Sequence, residues 1–210
     1  MSKYNVSRTV DPAVEPLTLG ETKDHLKVDP SITEDNDLIE GAIVAARQLA
    51  ESQTRRQLIT QTWLITLPSF PWGSNARFHA VGIPGSWLIP IELPIAPIQS
   101  ITFVRYYDEN NALQILASDL YDSDLRSARP RIRMWADAWP RTYQRMEAVE
   151  IEVIAGYGDA PADVPRAIRQ WMLCAVTAMY EHRDIVTERG ALQMNPFLDG
   201  LLDPYRFIEI

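Results

Sequence analysis

The stretch AGYGDAPADVPRAIRQWMLCAVTAMYEHR, residues 155–183, decides how the rest of the chain is read. It begins where an alternating segment ends. Val149, Ile151, Val153 and Ala155 alternate with Glu150, Glu152 and Ile154, the period of a half-exposed strand. Gly156-Tyr157-Gly158 breaks that strand. Asp163 is placed to cap a following helix, with Pro165 in its first turn, where the missing proline N–H costs nothing. Ile168, Trp171, Met172, Ala175, Val176, Met179 and Tyr180 then recur at helical spacing. A stripe that wide packs on more than one neighbour. A glycine turn between strand and helix is also the setting of a phosphate loop. Here there is no third glycine and no GK[ST], and Asp159 and Asp163 would repel phosphate, so the pair reads as a tight turn.

Working back from this segment, residues 1–16 are polar, with Pro12 and Pro16, and read as an extended arm. Thr18-Leu19-Gly20-Glu21 fits a capping box and opens a short helix to about Lys27. Ser31-Ile32-Thr33-Glu34 is a second such box. After it Leu38, Ile39, Ala42, Ile43, Ala46, Leu49 and Ala50 form an apolar helix face that ends near Arg55-Arg56. From Ile59 the period changes to that of strands: 59–67, 98–107, 113–116, 120–121, 131–135 and 149–155. Prolines and glycines between 68 and 97 forbid a long helix there. Asp108-Glu109-Asn110-Asn111 reads as a hairpin turn. The apolar segment 195–210 holds Pro196, Gly200 and Pro204, which leave room for one helical turn. The fold class is therefore α+β. A small helical bundle core, built from N- and C-terminal helices, is interrupted by a β-strand subdomain. The expected boundaries are 1–58 for the arm and first helices, 59–156 for the β subdomain, 157–194 for the last core helix, and 195–210 for a C-terminal tail.

Composition narrows the function. The 210 residues carry a net charge of −8, against the cationic surface that general nucleic-acid binding needs. No apolar run is long enough to span a bilayer, and the N-terminus lacks the apolar region of a secretory signal. Cys174 is the one cysteine; within the amphipathic helix it reads as a small buried apolar residue of a chain made in a reducing cytoplasm. His25, His79 and His182 lie in unrelated segments, with no CxxC or HExxH, so no metal or cofactor is expected.

Charge is segregated along the chain. Arg126, Arg129, Arg131, Arg133, Arg141 and Arg145 stand against the single acid Asp137, and an acidic run follows that includes Glu147, Glu150 and Glu152. Two solvated strand faces would account for this, and so would stripes that pair between copies of the chain. The arginines, with Trp135 and Trp139 near them, are also the candidates for contact with passing DNA. Glu150 and Glu152 on one strand face, with six tryptophans in the chain, raise the alternative of a carbohydrate-active enzyme. No apolar pocket that would hold one of the two protonated is legible, which disfavours it.

Four segments together resemble the head–tail connector (head-completion adaptor) proteins of long-tailed double-stranded DNA phages, in the subfamily with a β insertion. They are LTLGETKDHLKVD (17–29) with EDNDLIEGAIVAAR (34–47), TRRQLITQTW (54–63), the stretch 155–183, and LLDPYR (201–206). Their order covers nearly the whole chain; residues 68–97 and 122–148 contribute little. The resemblance implies a non-enzymatic virion protein of the neck, made in the host bacterial cytoplasm. It implies a ring of identical subunits, usually dodecameric, beneath the portal. Such a ring extends the DNA channel, passes genomic double-stranded DNA without reading its sequence, and presents a surface to the next neck or tail protein. The apolar tail residues Phe197, Leu198, Leu201, Leu202, Tyr205, Phe207 and Ile208, with Arg206, are the candidates for docking on the portal; the alternative is that the tail packs on the C-terminal helix of its own chain. A role as a DNA-packaging factor using the 126–145 arginines is the competing reading.

Overall fold

The computed structural model describes residues 4–71, 90–135, 139–181, 198 and 200–206. The chain divides into two compact units, an α+β arrangement. One is a β unit of residues 1–11 and 61–155; the other is a helical unit of residues 12–60 and 156–210.

The β unit holds a five-stranded antiparallel sheet in the order β1-β2-β8-β4-β5. Its strands are β1 (Asn5–Val10), β2 (Gln61–Leu67), β4 (Ile98–Tyr107), β5 (Leu113–Ile115) and β8 (Val149–Ala155). A second sheet runs β3-β7-β6, from β3 (Ile91–Glu92), β6 (Tyr121–Asp124) and β7 (Arg131–Met134). β8 is the central strand of the larger sheet. Val149, Ile151, Val153 and Ala155 on its inner face are fully buried, joining Ile65, Val104, Ile132 and Met134 in one core. The expected N-terminal arm is not wholly an arm. Asn5–Val10 pairs with β2 and forms an edge of the larger sheet. Its polar, exposed residues carry no strand period, which is why the sequence did not disclose it.

The turn expected at residues 108–111 is present. Asp108 N–H donates to the Ala112 carbonyl, and Asn111 has the left-handed φ of 61°. The Asp108 carboxylate accepts from the N–H groups of Ala112 (3.0 Å) and Asn110 (2.9 Å) and from the Gln114 side-chain amide (2.8 Å). These donors, the Ala112 N–H first, hold its pKa below the usual aspartate value. A folded pKa that is depressed gives stability that is complete above the ordinary carboxylate range and lost as pH falls through the folded value. An NMR titration of the Asp108 carboxyl should therefore show a midpoint below that of a free aspartate. A midpoint at or above it would contradict this geometry.

The helical unit is built on α1 (Leu19–Leu26), α2 (Asn36–Thr54) and α3 (Arg166–Glu181). Ile39, Ala42, Ile43, Ala46 and Ala50 of α2 meet Ile168, Trp171, Met172, Ala175 and Val176 of α3 in one core. Leu38 and Leu49, expected on that buried face, are exposed instead, because they lie toward the other side of the helix. Tyr180 donates to Asp35 (2.6 Å), so the start of α2 lies beside the end of α3 and the two helices run antiparallel.

The helix starts depart from the sequence reading. Thr18 caps α1 through the Glu21 N–H, at 3.2 Å. Glu21 does not return the bond; its carboxylate receives Arg169 of α3 at 2.6 and 2.7 Å. Ser31 does not cap α2. Its hydroxyl donates to Asp29, and the N-cap position belongs to Asp35. Asp163 does not cap α3. Its carboxylate accepts from Ala160 N–H at 2.9 Å, folding back onto its own loop, and Pro165 supplies the carbonyl that accepts from Arg169 N–H. Cys174 is half-buried at the flank of α3 rather than in the core. His25 is exposed in the last turn of α1.

Candidate assembly surfaces

β6 and β7 place four of the charged side chains. Antiparallel register sets Asp122 against Arg133 and Asp124 against Arg131, all on one face of the smaller sheet. The ion pairs are 3.2 and 3.3 Å long and half-exposed, so each is worth about 1 kcal/mol or less. With Pro90 they line a depression of about 420 Å³. Arginines counted along the chain as nearly unopposed are thus opposed across the sheet. The compensating acids lie on the neighbouring strand, outside the window in which the arginines cluster.

The remaining arginines spread out. Arg141 pairs with Glu109 at 3.5 Å, both exposed. Arg145 lies over the ring of Tyr107 at 3.8 Å, and Arg133 leans over the exposed Trp135 at 5.7 Å. Arg129 is half-buried, and its N–H donates to Ser127. Arg126 is exposed, as is Glu147 in the loop before β8. The structure therefore gathers Arg131 and Arg133 but does not bring all six arginines into one stripe.

Glu150 and Glu152 share one face of β8 as expected. Glu150 is bound by Arg105 of β4, whose guanidinium also lies over Phe103. Glu152 lies level with Leu64 and Phe103 in register. Trp63 is on the opposite face of this sheet, Trp139 stacks on Phe70 at 4.8 Å, and Trp171 is buried in the helical unit. Trp72 and Trp87 lie outside the described residues, as do His79 and His182. The two carboxylates thus face an arginine and apolar residues, with none of these tryptophans placed to stack a sugar between them. Among the described residues no group of three His, Cys, Asp or Glu is placed to hold a metal ion, and no helix is long and apolar enough to cross a membrane.

The C-terminal candidates lie on the helical core. Leu202 is fully buried there, and Leu198, Leu201 and Tyr205 pack against it. Arg56 Nε donates to the Tyr205 carbonyl at 2.8 Å. Arg206 donates to Gln53 at 3.2 Å and to Asp203 at 2.9 Å. Phe197, Phe207 and Ile208 lie outside the described residues. The sequence left packing on its own domain open as the alternative to docking; the one local signal of the clasp is Pro204 in a short turn at Asp203–Tyr205.

The glycine turn is a tight joint. Gly156 has φ +135°, and its Cα approaches the Ile59–Thr60 backbone closely. Tyr157 N–H donates to the Leu58 carbonyl, and Thr60 N–H to the Gly158 carbonyl. Burial raises the Tyr157 phenol pKa, with Arg56 pulling it the other way.

Net charge divides unevenly between the units. The helical unit carries ten Lys and Arg against seventeen Asp and Glu, while the β unit carries ten against eleven. The chain's acidity is therefore a property of the helical unit.

No protein-family model matches the chain, and no curated protein matches it. Solved structures do. A chain of the virion of a native gene transfer agent (GTA) particle superposes with a TM-score of 0.76 at 22% identity, covering 98% of this chain and 96% of that one. A chain of the neck of an empty GTA particle, computed with C6 symmetry, also gives 0.76 at 22%, covering 98% and 97%. A chain of the neck of a native GTA particle, computed with C12 symmetry, gives 0.65 at 24%, covering 96% and 97%. Over nearly its entire length, this chain has the fold of chains found in the virion and neck of GTA particles.

Proposed function

We propose that this protein is a structural, non-enzymatic virion protein, a ring-forming head–tail connector of the neck of a long-tailed phage or phage-like particle. The observation that carries this is the fold shared over 98% of the chain with GTA virion and neck chains. In this reading copies of the chain form a ring, a dodecamer by analogy with the neck computed in C12 symmetry. The ring binds the portal, extends the channel for genomic double-stranded DNA, and presents a surface to the next neck or tail protein. A ring needs heterologous contacts, one face of a subunit against a different face of its neighbour. Arg126, Arg145 and Glu147, all exposed in the β unit, and the acidic residues of the helical unit are charged groups available for them. A net charge of −8 suits a channel through which DNA slides, since a cationic lining would retain it.

Negative-stain imaging of the purified chain with and without portal tests this. Rings of fixed symmetry seated on the portal are the expected result, and a chain that stays monomeric beside portal overturns it. The C-terminal segment is the proposed portal contact. Because Leu202 is a core residue, removing 196–210 would damage the helical unit itself. Deleting only 207–210 leaves that anchor in place. The shortened chain should fold normally and lose portal affinity; full affinity in a folded variant would remove this segment from the interface.

A further inference from the structure

The outward side of α2 is not explained by anything within its own unit. Leu38, Gly41, Ala45, Leu49 and Ser52 recur every three or four residues away from the core. Leu38 and Leu49 are 41% and 36% exposed. Gly41 stands inside the helix, where glycine costs about 1 kcal/mol relative to alanine. A Cβ there would meet nothing within 4 Å, so no neighbour in the chain requires its absence. The helix also separates charge. Glu34, Asp37 and Glu40 are exposed at its start, and Arg55 is exposed at its end.

We propose that in the free chain this face pairs with the same face of a second copy, the two α2 helices running antiparallel about a twofold axis at Ala45. The proposal concerns the unassembled protein and does not rest on the ring reading. In this register Leu49 of each copy enters the space over Gly41 of the other, and Leu38 covers Ser52. Asp37 and Arg55 lie on the same flank of the helix, five turns apart. In an antiparallel pair like flanks meet, so Asp37 of each copy faces Arg55 of the other. Acidic and basic ends are thereby matched twice, whereas parallel pairing would set like charges together. α2, about 28 Å long, offers one helix face, which places the contact at the small end of specific interfaces and the dimer in the micromolar range. Such a pair is closed and would have to open before any heterologous ring formed.

Sedimentation equilibrium across the micromolar range tests this on the full chain. The wild type should show a monomer–dimer equilibrium. Gly41→Leu should weaken it by about tenfold or more, because leucine fills the space that Leu49 needs. The same variant should melt about 2 °C higher, since leucine favours helix and its Cβ would meet nothing within 4 Å. A folded, more stable and more monomeric protein separates loss of the contact from loss of the fold. Asp37→Arg and Arg55→Asp should each weaken the dimer, and together restore it. In a Cys174→Ala background, Ala45→Cys should be joined to a single dimer by a short bis-maleimide. A chain monomeric at every concentration overturns the proposal. So does a dimer that survives Gly41→Leu and is not captured at position 45.

Discussion

Replacing Arg47 with alanine is expected to remove about 3–5 kcal/mol of stability, the largest effect expected of a single charged residue among those described. Its side chain is 5% exposed within α2, among apolar residues. Its Nε donates to Glu15 at 2.7 Å, and a terminal nitrogen donates to Glu51 at 3.0 Å. Glu51 is nearly as buried, and its other oxygen accepts from the Leu58 N–H at 3.1 Å. One guanidinium therefore ties the segment before α1 to the chain leaving α2. Burial lowers the Arg47 pKa, but the hydrogen bond and charge of Glu15 and the charge of Glu51 outweigh it, and the net shift is upward. Alanine would take the guanidinium away from both carboxylates and leave a cavity in its place. Glu15 is partly solvated, so Glu51 carries most of the penalty. Lysine should recover part of the loss, having the charge without the forked geometry that serves two acids. Urea unfolding followed by circular dichroism measures this. A loss under about 1 kcal/mol would mean that the cluster behaves as a surface salt bridge.

Gly156→Ala is expected to cost about 3 kcal/mol or more. Two penalties coincide there. The φ of +135° is one that L-residues rarely adopt, and an added Cβ would lie 2.5–2.6 Å from the Ile59 carbonyl group and the Thr60 nitrogen. Those atoms are backbone held in place by the bonds between Leu58–Thr60 and Tyr157–Gly158, so they cannot swing aside. Two other glycines calibrate the prediction. At Gly158 the Cβ would meet the Asp163 carboxylate and also the Asp163 Cβ at 2.7 Å; the carboxylate can swing aside at the expense of its bond to Ala160, about 1 kcal/mol, and the loop must shift as well, whereas at Gly156 every atom in the way is backbone. At Gly41 alanine should stabilise slightly. Thermal melts of the three alanine variants should rank Gly156 lowest, Gly158 next and Gly41 above wild type. A Gly156 variant melting within a degree of wild type would refute the close approach described for this turn.

Much of the architecture was legible because it rests on local periods. The alternation in 149–155 gave the central strand, the spacing from Ile168 to Tyr180 gave the core face of α3, and Thr18 capped α1 as read. What was misread involved choices among partners. Glu21, Ser31 and Asp163 each had a plausible cap nearby, and each bound something else: Arg169 of α3, Asp29, and Ala160 of its own loop. A short polar side chain signals that it will bond, but not to which of several groups in reach.

The sequence alone therefore determined the order of the three helices and of most strands, most of the buried faces, and the glycine joint, since these follow from spacing and backbone freedom along the chain. Only the tertiary structure decided that Asn5–Val10 is an edge strand, that Asp122 and Asp124 neutralise Arg133 and Arg131, and that Arg47 is enclosed by Glu15 and Glu51. It also decided that Leu202 belongs to the helical core. These depend on residues far apart in sequence meeting in space. The free energy of such a meeting is set by burial and by the loop closed to reach it, and neither is written in the local pattern.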